Sequence, residues 1–241
     1  MFNIPKVTKN ILIVNVIMFV FTLINEDFMI RTFALFYPTS PLFRIWQPVT
    51  HMFMHGGFMH IFFNMYTLVL FGSVLERAIG PKKFLVFYFI TGLGAAALHL
   101  GVQHLQFAAN AGNYQALVNI LRTPTVGASG AIYGILIGYA MLYPESVLTL
   151  IFPPVSLKAR WLVIIFVVIE LATGIFDTAD GVAHFAHLGG MLFGWLLVLY
   201  WKKTNWREPG ELWHQLRGKL TNHPDSSEDD KFDNYHYHKR V

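Results

Sequence analysis

The sequence predicts an all-α membrane protein, a polytopic bundle of six transmembrane helices whose short fourth helix begins below the membrane surface. Of the 241 residues, 54% are hydrophobic and only 13% are charged, about half the charged fraction of a soluble domain. The apolar residues form long runs separated by short polar breaks, as in membrane spans. The basic residues lie at the ends of these runs. Membrane topology therefore explains the net charge of +4, and we predict no nucleic-acid partner.

Six apolar segments follow one another along the chain. They cover residues 10–25, 57–75, 84–102, 129–143, 159–175 and 182–201. The first follows Lys6 and Lys9, as a signal peptide would, but no small-residue cleavage site comes after it, so we predict an uncleaved helix. The composition turns polar after Trp201. We therefore predict a transmembrane domain over residues 1–201 and a polar, partly disordered cytoplasmic tail over residues 202–241.

The placement of basic residues predicts the orientation of the bundle. Six spans put both termini on one side of the membrane. Only Arg31, Arg44 and Arg122 would then lie on the other side, which leaves 15 of the 18 basic residues with the termini. Basic residues collect on the cytoplasmic side, so we expect both termini in the cytoplasm.

Segment four is too short to span the membrane. Its 15 residues give a helix of about 22 Å, against a hydrocarbon core of about 30 Å. The polar loop before it, residues 107–126, enters from the outer side, so Ser129 should lie below the surface at the start of a helix. Irregular backbone at that depth is tolerated beside a water-filled cavity or inside protein, which indicates an active site. The aromatic, proline-rich loop 28–55 should lie in the outer interface.

Two stripes of small residues predict a close contact between segments four and six, because small side chains let membrane helices approach. The small residues are Gly130, Gly134 and Gly138 on segment four, and Ala183, Gly190 and Gly194 on segment six. Their contact would bring Ser129, in the sequence Gly127–Gly130, next to His187, and a serine beside a histidine base is the minimal activated nucleophile. Taken alone, the glycine pattern fits a packing interface with an incidental serine and histidine at least as well.

Histidines in and beside segment two leave two further possibilities open. His60 and Asn64 lie one turn apart on a helix, where their donors could stabilise an oxyanion or simply form a bond between membrane helices. His51 and His55 have the same spacing, and together with His60 they could hold zinc or haem. The chain contains neither HExxH nor cysteine, so we predict no metal and no cofactor and treat His51 and His55 as structural.

The motifs together form a more specific pattern than any of them alone. In chain order they are Trp46, His51–His55, His60, Asn64, Glu76–Gly80, Gly127–Gly130, Ala186–His187, Gly190 and Gly194. In this order and spacing, nearly all of residues 10–201 resemble the rhomboid family of intramembrane serine proteases, in its bacterial six-helix form. The resemblance implies a multi-pass protein of a bacterial inner membrane.

The resemblance also implies roles for individual residues in an endopeptidase with a serine–histidine dyad. Ser129 would be the nucleophile and His187 the general base. His60, Asn64 and the backbone N–H of Ser129 would form the oxyanion hole. Tyr133 would orient the His187 ring, and Gly127 and Gly130 would support the serine turn. The partners would be the lipid bilayer and transmembrane protein substrates, which would enter between segments two and five under the loop 175–180. A non-catalytic relative of the same fold is the alternative, against which the intact serine and histidine argue.

The chain departs from the family at one position in the first loop. The family often has Trp-Arg where this sequence has Trp46, Gln47 and Pro48. The arginine is expected to hold this loop and nearby lipid. The departure therefore concerns the support of the loop and not the chemistry, and Arg44 is the candidate substitute. The sequence identifies neither the natural substrate nor the oligomeric state.

Overall fold

The computed structural model describes residues 3–149, 155–176 and 181–204. Most of them are helical, and those as far as Lys203 belong to one compact unit. The helices are α1 (Lys6–Ile24), α2 (Glu26–Phe33), α3 (Gln47–Thr50), α4 (Phe58–Thr67), α5 (Ser73–Ile79), α6 (Pro81–Ala109), α7 (Tyr114–Arg122), α8 (Ser129–Leu142), α9 (Ala159–Phe176) and α10 (Gly181–Lys203). A 3₁₀ turn (His51–Phe53) precedes α4, and a π-helical turn (Leu68–Gly72) joins α4 to α5.

The protein is an integral, multi-pass membrane protein. Four helical stretches of the described chain are long and apolar enough to cross a membrane: Lys6–Ile24, Phe58–Ile79, Pro81–Ala109 and His184–Lys203. Helix α8 is shorter, with 14 residues, or about 21 Å. The prediction of a helical membrane bundle is thereby confirmed. The number of six spans stays a prediction, although each of the six apolar segments lies in a helix.

Three further elements were not predicted from the sequence. Strands β1 (Val147–Thr149) and β2 (Ser156–Lys158) pair antiparallel between α8 and α9. Helix α7 occupies part of the segment 107–126, which the sequence analysis treated as a loop. Three predicted features lie wholly or partly outside the described residues: the loop 175–180 beyond Phe176, the side chain of Ala183, and the tail from residue 205 onward.

A buried carboxylate ties α1 to α5. Glu76 accepts hydrogen bonds from the backbone N–H groups of Val7 (3.0 Å) and Thr8 (2.7 Å) and from the Thr8 hydroxyl (2.8 Å). The first N–H groups of a helix have no partner within the helix, so Glu76 caps α1 from a distant part of the chain. Gly80 ends α5 with a φ of +84°, a conformation that favours glycine. Pro81 then begins α6 in a position where its missing N–H costs nothing.

Helices α6, α8 and α10 pack against one another, and glycines on both sides of the contact between α8 and α10 let the backbones meet. Gly190 and Gly194 lie against the backbone of Gly130 and Gly134, where an added Cβ atom would crowd the carbonyl oxygens. The contact predicted between segments four and six is therefore present. Its geometry differs from the prediction, because side chains added to the α8 glycines would run into α6, for example into Thr91.

Gln47 supports the first loop, the region where the sequence departs from the family pattern. Its buried side-chain amide donates to the carbonyls of Leu42 (2.9 Å) and Arg31 (3.4 Å), and its oxygen accepts from the Phe36 N–H (3.3 Å). The exposed Arg44 guanidinium bonds only to carbonyls of its own turn among the contacts described. Gln47, and not Arg44, therefore joins distant parts of this loop.

The first loop also holds the segment that leads to Ser129. Leu35 and Thr125 exchange two backbone hydrogen bonds, of 2.9 and 2.8 Å. The Thr125 hydroxyl lies 2.7 Å from Nε2 of the buried His99 on α6. These contacts fix the chain just before α8 begins, and so they help to position the serine.

Candidate active site

The structure brings Ser129 and His187 into direct contact. The Ser129 Oγ lies 2.9 Å from the His187 Nε2, although 58 residues separate them in sequence. Ser129 is the first residue of α8, and His187 lies two turns into α10. Neutral imidazole Nε2 can accept the hydroxyl proton when the proton of the ring is on Nδ1. The pair therefore has the geometry of a serine activated by a base.

Gly127 shapes the turn before the serine. Its φ of +138° is disfavoured for residues with a side chain, and its N–H donates to the His51 carbonyl at 3.0 Å. A Cβ atom on Gly127 would lie 3.0 Å from the His60 Nε2 and 3.3 Å from the Ser129 Oγ. The glycine therefore leaves open the small space between the imidazole of His60 and the hydroxyl of Ser129.

His60 and Asn64 lie one turn apart on α4, and the His60 ring borders this space. The Asn64 amide donates one hydrogen bond to the His60 carbonyl at 2.9 Å, which leaves its second N–H for another acceptor. Both residues, with Tyr133 and Phe166, line a cavity of about 410 Å³ between α4, α8 and α9. The His60 ring is thus near the serine, and both donors predicted for an oxyanion border the adjoining cavity.

Tyr133 lies one turn after Ser129 and covers one face of the His187 ring. The two ring centres are 4.3 Å apart, and the planes are inclined by only 16°. Such stacking restricts rotation of the imidazole about its own bond. The role of Tyr133 in orienting the His187 ring stays a prediction.

Glu170 of α9 is a site residue that the sequence analysis did not select. Its Oε2 lies 2.6 Å from the His184 Nδ1 and 3.0 Å from the His187 Nδ1. The Tyr133 hydroxyl also donates a hydrogen bond to this carboxylate. The available signal was that Glu170 is the only acidic residue in the apolar segment 159–175, and an ionisable residue within a membrane helix is commonly functional.

The structure groups potential metal ligands differently from the zinc or haem alternative. The histidines of that alternative are His51, His55 and His60. In the described part of the chain, the side chains close enough to share one cation are instead Glu170, His184 and His187, whose ligand-type atoms lie within 4.8 Å of one another. The His184 imidazole is hydrogen-bonded to the carboxylate at 2.6 Å, and the His187 Nδ1 contacts the same oxygen at 3.0 Å, so direct contacts already account for this cluster.

Fold and site together define a class: a multi-pass helical membrane protein with a serine–histidine pair inside its bundle. The family model described as the Rhomboid domain matches residues 42–203, which is more than half of the chain. The protein belongs to the rhomboid family.

Curated relatives come from bacteria and from mitochondria. The chain is 28% identical to Rhomboid protease GlpG of Yersinia pestis over 82% of its length and 63% of that protein. It is 28% identical to the mitochondrial presenilin-associated rhomboid-like protein of Bos taurus, over 86% of the chain and 52% of the relative. It is 31% identical to mitochondrial RHOMBOID-like protein 12 of Arabidopsis thaliana, over 69% and 49%. The chain thus spans about half to two thirds of these relatives.

Proposed function

We propose that this protein is an intramembrane serine endopeptidase that hydrolyses peptide bonds of transmembrane or membrane-anchored proteins. The observation that carries the proposal is the 2.9 Å contact between the Ser129 Oγ and the His187 Nε2, inside a bundle of apolar helices. Membership of the rhomboid family supports it, since the relatives include proteins named as rhomboid proteases.

In the proposed reaction, the Ser129 Oγ attacks the carbonyl carbon of the scissile bond. The hydroxyl proton moves to the His187 Nε2 as the C–O bond forms. The resulting imidazolium then gives this proton to the leaving amine when the C–N bond breaks. Water, activated by the same imidazole, hydrolyses the acyl-enzyme and regenerates the serine.

His60, Asn64 and the backbone N–H of Ser129 are the donors proposed for the oxyanion of the tetrahedral intermediate. The open space above Gly127, between the His60 Nε2 and the Ser129 Oγ, supports this assignment. The N-terminus of α8 adds a favourable field for developing negative charge. Donors that are fixed in a site from which water is largely excluded contribute strongly to catalysis of this kind.

The cavity between α4, α8 and α9 supports entry of the substrate from the side, within the bilayer. A helical substrate must unwind locally before the serine can reach its backbone, because helical amides are shielded by their own hydrogen bonds. We therefore propose preference for substrates with small or helix-weakening residues near the outer face. The proposal includes six spans, cytoplasmic termini, a bacterial inner membrane, and division into residues 1–201 and 202–241.

Replacement of Ser129 tests the proposed function. Purified Ser129→Ala should lose cleavage of a fluorogenic transmembrane peptide by at least about a thousand-fold, with an unchanged melting temperature in detergent. Ser73→Ala is the matched control, since Ser73 is also a buried serine of the bundle and lies outside the site; it should cleave normally. Cleavage by Ser129→Ala at the wild-type rate would refute the nucleophile. A folded wild-type protein whose Ser129 does not react with a fluorophosphonate would favour a non-catalytic relative.

A further inference from the structure

Glu170 is a buried carboxylate within a membrane helix, and the reaction described above does not use it. Only 5% of the residue is exposed. A charged group in such a place is costly unless it is paired and hydrogen-bonded. Three side chains from two neighbouring helices converge on it: Tyr133 from α8, and His184 and His187 from α10. The carboxylate is therefore held firmly from both sides.

The contact with His187 is the one that bears on the reaction. The Glu170 Oε2 lies 3.0 Å from Nδ1, on the side of the ring opposite the nitrogen that faces Ser129. The buried Nδ1 has no hydrogen-bond partner among the described residues, so the contact is close but is not a formed hydrogen bond. Catalytic hydrogen bonds are often loose without substrate and tighten in the complex.

We infer that Glu170 is a positioning residue that completes a Ser129–His187–Glu170 triad. This inference rests on the proposed function. The carboxylate favours the proton on Nδ1, which leaves Nε2 free to accept the hydroxyl proton of Ser129. When His187 becomes an imidazolium, Glu170 remains ionised and stabilises the new positive charge. The proton then leaves from Nε2 to the amine, so no proton is transferred to Glu170, as in the serine–histidine–aspartate arrangement.

His184 and Tyr133 hold the carboxylate in place for this role. The His184 Nδ1 contacts the same oxygen at 2.6 Å, and Tyr133 both bonds to the carboxylate and stacks on the His187 ring. The titratable groups around His187 are thus Glu170 from α9, Tyr133 from α8, His184 from α10 and, farther away, His60 from α4. Among these, only Glu170 can supply a negative charge in the neutral pH range.

The test compares Glu170→Gln with the full-length wild-type protein in proteoliposomes. The isosteric amide removes the charge, so we expect kcat to fall by about 100-fold while KM stays within two-fold; loss of the carboxylate of a soluble triad costs about 10⁴-fold. The acid limb of the kcat profile, along which His187 gains a proton, should move to lower pH. Glu170→Asp keeps the charge, so its acid limb should stay near that of the wild type while kcat falls by about 10-fold.

Glu76→Gln is the matched control, because Glu76 is a second buried carboxylate of the bundle and lies outside the site. It should keep the kcat and the pH profile of the wild type per folded molecule, whatever its melting temperature. A kcat within two-fold of wild type in Glu170→Gln, with an unmoved acid limb, would overturn the inference. If this variant does not fold, a kcat within two-fold of wild type in Glu170→Asp has the same consequence.

Two further experiments distinguish the role inferred for Glu170 from a failure of the proposed function and from a metal site. Cleavage by Ser129→Ala at the wild-type rate would refute the proposed function itself. An inactive Ser129→Ala together with a fully active Glu170→Gln would refute only the role inferred for Glu170. Treatment of the wild-type protein with EDTA should leave kcat unchanged. Loss of activity in EDTA and its recovery with Zn²⁺ would make the three side chains a metal site and overturn the positioning role.

Discussion

Glu76 and Glu170 are both buried in the bundle, with 4% and 5% of their surface exposed, yet their surroundings differ in kind. Glu76 is bound by two backbone N–H groups and a threonine hydroxyl, none of which changes its protonation state at neutral pH. The partners of Glu170 are two imidazoles and a phenol. Burial of a carboxylate therefore does not by itself indicate chemistry. Its partners decide whether it holds a helix or takes part in proton transfer.

The largest expected difference separates two glycines: Gly127, in the turn before Ser129, and Gly80, whose N–H bonds to the Glu76 carbonyl. Gly127 and Gly80 both have positive φ values, +138° and +84°. Alanine at either position should cost about 1–3 kcal/mol of backbone strain. Only at Gly127 does the new Cβ meet the His60 Nε2 and the Ser129 Oγ. Gly127→Ala should therefore lower kcat by about 10²–10³-fold, the effect of disturbing an oxyanion hole.

Gly80→Ala is the control for backbone strain, since no described atom lies within 4 Å of a Cβ at that position. Both variants should show lowered melting temperatures in detergent, and only Gly127→Ala should lose activity in a peptide-cleavage assay. Equal kcat values for the two variants would mean that the space above Gly127 has no part in the reaction.

The next effect concerns Glu76 and should appear in stability alone. Glu76→Ala leaves the N–H groups of Val7 and Thr8 without their acceptor, and unpaired buried donors cost about 1–3 kcal/mol each. We expect a loss of about 3 kcal/mol in the free energy of unfolding, measured by denaturation in mixed micelles. The kcat per folded molecule should not change. A normal melting temperature with a reduced kcat in Glu76→Ala would mean that Glu76 serves the reaction and not the stability of the bundle.

Gln47 extends the comparison to a neutral side chain that also bonds to distant backbone. Gln47→Ala removes contacts to Leu42, Arg31 and Phe36 and should lower the free energy of unfolding by about 2 kcal/mol. Gln47→Glu offers a sharper control, because it keeps an acceptor for the Phe36 N–H but places a carboxylate against two carbonyl oxygens. We expect it to be no more stable than the alanine variant, and a stability equal to wild type would contradict the assigned bonds.

The effect that is smallest at neutral pH, and that grows only in acid, is a pH dependence of stability at the loop before α4. Burial lowers the pKa of His51 to about 4, below the usual 6.5. Between these values the unfolded chain takes up a proton that the folded protein does not, so stability falls as the pH falls from about 6.5 towards 4. The slope is about 1.4 kcal/mol per pH unit. His51→Asn should have a shallower slope of melting temperature against pH, and an unchanged slope would contradict the assignment.

Several features of the site could be predicted from sequence because they depend on local patterns. The short segment four, the turn Gly127–Gly130 and the stripe with His187 indicated where the serine and the imidazole would lie. Glu170 was not selected, although it stands alone in an apolar segment, because nothing in its spacing states which neighbouring helix it faces. The role of Gln47 was also missed, since it depends on contacts with distant backbone. Strands β1 and β2 were missed as well, because each has only three residues.

The sequence by itself determined that the chain is a helical membrane protein and where its long apolar helices lie, since long apolar runs have one stable solution in a bilayer. The tertiary structure decided which polar groups meet inside the bundle. The rotation of each helix about its axis is set by close packing at glycines such as Gly190 and not by composition. That rotation is the physical reason why Glu170 reaches His187 whereas Glu76 caps α1.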